Sequence, residues 1–101
     1  MNIQGIKDTI VKAVSPSRII LFGSRATGAA TEESDVDLVV IWDSPDDPHQ
    51  RNVRIRRLFP RRDFSLDVFV YTSAEAERYK DVKGTILHTA FTKGKLLYER
   101  R

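Results

Sequence analysis

A chain of 101 residues without a cysteine is expected to fold as one domain over 1–101, with no disulfide, thiolate metal centre or thiol nucleophile. Its 41% apolar and 31% charged residues fall in the range of an ordinary soluble globular protein. No run approaches the roughly 18 apolar residues that span a bilayer, and the N-terminus has no signal-like core, so a cytoplasmic protein without membrane contact is expected. The net charge of +3 favours an anionic partner only weakly.

Ile3, Ile6, Ile10 and Val14 recur at helical spacing among Gln4, Lys7, Asp8 and Lys12, which predicts an amphipathic helix over 2–14. Ser15-Pro16-Ser17 stops it, because proline lacks an N–H and disfavours helix in the residue before it. Arg18 to Phe22 reads as a short buried strand ending at Gly23. Ser24 to Ser34 is small and polar, with one helical turn expected just after Gly23 and a chain turn at Gly28. Asp35 to Trp42 is the second predicted strand, with Val36, Leu38 and Val40 on one face and Asp35, Asp37, Val39 and Ile41 on the other.

After the loop Asp43 to Pro48, a helix is expected from Pro48 to Phe59, ended by Pro60. Phe64 to Tyr71 alternates as a third strand, with Asp67 among its apolar residues. Thr72 to Glu75 reads as a capping box that opens a helix through Tyr79 or Lys80. Ile86, Leu87, Ala90 and Phe91 give a last short helix stopped by Gly94, and Lys95 to Tyr98 an edge strand. The alternation describes an α/β or α+β domain, a small mixed sheet packed against helices.

The chemistry gathers between Phe22 and Asp37. On a strand Asp35 and Asp37 point the same way, with Cα atoms roughly 6.5 Å apart. Like charges so placed repel unless a cation joins them, and hard divalent ions take oxygen ligands. Gly23 lets backbone approach a ligand, while the Ser24 hydroxyl and the Arg25 guanidinium suit phosphate oxygens. Asp67, between Leu66 and Val68, is costly as an unpaired carboxylate, so it is expected to hold metal, act as a base, or pair with Arg61 or Arg62. A P-loop is excluded because Ala29-Ala30 stands where Lys-Ser/Thr belongs, and Gly-x-Gly-x-x-Gly is absent. A phosphoaspartyl phosphatase is disfavoured because the hydrophobic run follows the Asp-Val-Asp here instead of preceding it.

Gly23-Ser24, ten residues, Asp35-Val36-Asp37 and a later Asp67 on a strand resemble the DNA polymerase β-like nucleotidyltransferase superfamily, and most closely its minimal nucleotidyltransferase (MNT) proteins. The resemblance implies the polymerase β-like nucleotidyltransferase fold. It also implies that Asp35, Asp37 and Asp67 bind two Mg²⁺ ions, with Asp67 helping to deprotonate the attacking hydroxyl. Gly23 and Ser24, with Arg25 nearby, would bind the phosphates of ATP or another NTP. Small members pair with a HEPN ribonuclease as antitoxin and toxin, and AMP transfer to a HEPN tyrosine (AMPylation) silences the toxin. That implies an antitoxin role here.

Other readings stay open. The protein could neutralise a partner by contact alone, or modify RNA or a small molecule, the last disfavoured because no second domain encloses such a substrate. Arg51, Arg54, Arg56, Arg57, Arg61 and Arg62 form a basic segment, expected to be a solvated face, a contact for RNA, or a contact for an acidic protein. Exposed apolar surface on the later helices would suit a homodimer or a hetero-oligomer. His49 and His88 are expected to be surface or packing residues, and Trp42, Phe59 and Phe91 core.

Overall fold

A four-stranded mixed sheet organises the computed structural model, which describes residues 3–28, 35–60 and 65–100. The elements are α1 (Ile3–Val14), β1 (Arg18–Phe22), α2 (Ser24–Thr27), β2 (Val36–Ile41), α3 (Pro48–Arg56), β3 (Leu66–Tyr71), α4 (Ser73–Tyr79), α5 (Ile86–Lys93) and β4 (Lys95–Glu99). The strand order is β3-β2-β1-β4; β2 and β3 run parallel, and the other two pairings are antiparallel. α3 is the crossover that returns the chain from the end of β2 to the start of β3, as a parallel pair requires.

Strand alternation sorts the side chains into two cores. One face buries Ile19 and Leu21, Val36, Leu38 and Val40, and Leu66, Val68 and Val70 against Ile6 and Ile10 of α1 and Ile55 of α3. The other buries Ile20, Val39 and Ile41 against Ala76 of α4 and Leu87 and Ala90 of α5, with Phe22, Phe69 and Tyr71 packed alongside. Phe59 is buried, as expected, and Trp42 and Phe91 are packed against the cores while partly exposed. The α/β reading of the sequence holds, with the sheet packed between helices.

Several boundaries move for local reasons. β2 starts at Val36, so Asp35 lies one residue before the strand and is exposed. α3 ends at Arg56 rather than Phe59, because Leu58 donates to the Ile55 carbonyl and Phe59 to that of Arg56, three-residue bonds that tighten the last turn and drop Phe59 into the core. β3 starts at Leu66; Phe64, placed in it from sequence, lies outside the described residues.

Gly94 does stop α5, though not in the left-handed conformation (φ −82°). A Cβ there would run into the Ala90 carbonyl and stand 2.7 Å from Ile20 Cγ2, so glycine is needed for close packing. The capping box is present, with the Glu75 carboxylate accepting from the Thr72 N–H and the Thr72 hydroxyl from the Glu75 N–H.

Arg51 corrects the reading of the basic segment as one surface. It is buried, and its guanidinium donates to both Glu75 carboxylate oxygens at 2.7 and 3.3 Å, tying α3 to α4. Next to it, Asn52 Oδ1 accepts from the Val70 N–H at 2.9 Å, which occupies a donor of the β3 edge strand. No described helix is long and apolar enough to cross a membrane.

Candidate active site

Three chain segments meet at one end of the sheet: β1 finishes there, and β2 and β3 begin there. The antiparallel register sets Phe22 opposite Asp37, and the parallel register sets Asp37 beside Asp67. Asp37 and Asp67 share a face with Val39 and Phe69, two residues further along each strand, so both carboxylates stand on the α4–α5 side of the sheet.

The two carboxyls are close enough to share a hydrogen bond, and Asp35 lies within electrostatic reach. Asp37 is pushed above the ordinary aspartate value by burial first, then by the charge of Asp67 and their hydrogen bond, then by Asp35. Its ionised form is therefore less favoured than that of an ordinary aspartate, as expected when like charges converge at a partly buried sheet end. Among the described residues no three acidic or histidine side chains already form a metal-holding group; the close pair is Asp37–Asp67.

Gly23 is the backbone counterpart of this pair. It precedes α2 with φ 77° and ψ −158°, a combination open essentially to glycine alone. A Cβ built there would collide with Asp37 Oδ2 and lie 3.3 Å from Asp37 Cγ, so the bend is pressed directly against the carboxylate. The expected helical turn is present as α2, which brings Ser24 and Arg25 to this end of the sheet, and Gly28 closes it in the left-handed conformation. Arg61 and Arg62, the alternative partners for Asp67, lie outside the described residues.

Two further residues belong to this end. The rings of Phe22 and Phe69 are 5.9 Å apart and tilted by 53°, forming an apolar wall behind the Asp37–Asp67 row. Strand alternation, which puts them on the acidic face, was the sequence signal for them. A cavity of about 350 Å³ at the opposite end of this face, lined in part by Arg18, Ser73, Phe91 and Arg100, contains none of the three aspartates.

The chain belongs to the polymerase β nucleotidyltransferase family, whose model matches residues 4–101. No curated protein matches it in sequence. Among solved structures it is similar to a protein from Sulfolobus solfataricus described as a candidate nucleotidyltransferase, at 18% identity and TM-score 0.67 over 96% of this chain and 77% of that one. It is also similar to a toxin–antitoxin structure solved with AMP-PNP (18% identity, TM-score 0.64, 99% of this chain and 76% of that one). A third similar structure is a mutant of the toxin–antitoxin MntA-HpeT (20% identity, TM-score 0.65, 100% and 75%). At these identities the likeness shows the fold.

Proposed function

We propose that this nucleotidyltransferase domain is catalytically active and transfers AMP from ATP to a protein hydroxyl, the acceptor being a tyrosine of a cognate HEPN toxin. The observation that carries the reading is the Asp37–Asp67 pair pressed against the Gly23 bend, with Asp35 beside it. Similarity to two toxin–antitoxin structures, one solved with AMP-PNP, supports the choice of nucleotide and partner.

The donor set fits magnesium. Mg²⁺ is commonly held by one or two carboxylates together with substrate phosphates and water, so an adjacent pair with a third acid nearby is sufficient. Asp35 and Asp37 would hold two ions, with Asp67 helping to hold the second; bound there, the ions would supply Lewis-acid stabilisation of charge on the phosphate oxygens. Gly23 and Ser24 bind the β- and γ-phosphates and Arg25 adds positive charge. The acceptor oxygen forms a bond to the α-phosphorus, the bond to the bridging oxygen breaks, and pyrophosphate leaves. Asp67 takes the hydroxyl proton.

The test is to incubate the protein with its candidate toxin, Mg²⁺ and ATP and to weigh the toxin by mass spectrometry. A mass gain of whole AMP units, lost with Asp37→Asn, is the expected result; an unchanged toxin mass overturns the reading. Neutralisation that survives in a folded Asp35→Asn/Asp37→Asn variant would assign the antitoxin role to contact alone.

A further inference from the structure

The arginines that close α3 take no part in the site; the crossover they end runs back toward the start of β3. The crossover leaves β2 after Ile41, far from the carboxylates, and returns to the start of β3, where Asp67 stands. Phe59 anchors that return in the core on the α1 side of the sheet, the face opposite Asp37 and Asp67. Just before it, Arg56 and Arg57 are exposed, and among the described residues neither has a carboxylate partner. Arg54, also exposed, is ion-paired with Asp46.

A single cation in the last turn would complement the helix dipole, an effect confined to that turn. Three exposed cations exceed that need, and the stretch from 44 to 79 holds arginines but no lysine. The planar guanidinium fork grips a carboxylate or a phosphate at two points, which an ammonium cannot do. The shape of the patch separates these two ligands. A polynucleotide calls for a cationic track with aromatic rings for its bases. Asp46 and Asp47 instead stand just before α3, which buries Arg51 and Ile55, so among the described residues its exposed positive charge gathers at its C-terminal end.

We propose that Arg54, Arg56 and Arg57 dock an acidic surface of the protein that presents the acceptor hydroxyl. The acceptor role rests on the nucleotidyl-transfer reading; the docking itself does not.

The experiment measures binding of a fluorescent peptide of glutamate and tyrosine, beside a matched peptide with glutamine for glutamate and an oligouridine strand. The protein is expected to bind the glutamate peptide in preference to both, with affinity falling as salt rises. Arg56→Gln/Arg57→Gln should weaken it by about tenfold. Thermal unfolding should stay unchanged, because both side chains are exposed. If the double variant does not fold, the two single variants report the same comparison.

Equal binding by parent and variant overturns the proposal. So does tighter binding of oligouridine that the variant loses, which would give the patch to a polynucleotide. Asp37→Asn should bind the peptide as the parent does. Peptide bound by the parent, with no AMP transferred to its tyrosine, would count against the catalytic reading and leave the docking patch standing.

Discussion

Gly23 and Asp37 form a unit in which backbone and side chain constrain each other. The positive φ of Gly23 carries the chain off β1 close enough to touch the Asp37 carboxylate. Gly23→Ala should therefore lose about 1–3 kcal/mol to backbone strain and displace Asp37. An ångström-scale shift of a reacting group costs on the order of 100-fold in rate, so transfer should fall by about that factor, measured as AMP incorporation. A Gly23→Ala protein with full activity would show that the bend does not position the carboxylate.

Asp37 itself is destabilising when ionised. A folded-state pKa raised above the ordinary 3.8 gives stability that is present below that value and lost as pH rises through the raised one. In cation-free buffer at neutral pH, Asp37→Asn should accordingly unfold at higher temperature than the parent. The gain should stay below about 1 kcal/mol because water screens the half-buried pair, and it should vanish on acidification. A less stable variant at neutral pH would contradict the assigned repulsion.

At the scale of elements, the crossover α3 is held by the Arg51–Glu75 pair. Arg51 is only 3% exposed, while Glu75 is a third exposed and doubles as the capping residue of α4. The Arg51 hydrogen bond is the largest cause holding the Glu75 carboxyl below the ordinary 4.5. Glu75→Gln should cost about 2–3 kcal/mol, since it leaves a buried guanidinium without its counter-charge. For the parent, the Glu75 contribution is present above pH 4.5 and lost as pH falls through the lowered value, so the gap between parent and variant in thermal unfolding should narrow in acid.

The period-two pattern of β2 and β3 revealed from sequence which residues face which core, because alternation is a local property of the strand. The burial of Arg51 was not legible. In sequence Arg51 is one of several arginines in a basic stretch, and the carboxylate that accepts it comes from α4, 24 residues later. The end of α3 was misplaced for a related reason, as the tightened last turn follows from Phe59 entering the core. Gly94 was recognised as a helix stop, but the packing that requires glycine there involves Ile20 and Leu21 of a distant strand.

For the molecule as a whole, one parallel and two antiparallel pairings bring the end of β1 and the beginnings of β2 and β3 to a common edge. That arrangement sets a glycine bend, two adjacent carboxylates and a third acid close by on one surface. The motif Gly-Ser…Asp-Val-Asp could be read from sequence, and so could the face that Asp67 shares with it. The convergence of Asp67 on the pair was implied by the family resemblance, whereas the parallel pairing of β2 and β3 that sets it beside Asp37 was not legible in the residues.

The most direct measurement is calorimetric titration of Mn²⁺ into the protein with a non-hydrolysable ATP analogue, for the parent and for Asp37→Asn and Asp67→Asn. Metal binding by the parent that each variant weakens by at least about tenfold is the predicted result. Undiminished Mn²⁺ binding in a folded Asp37→Asn/Asp67→Asn double variant would contradict it.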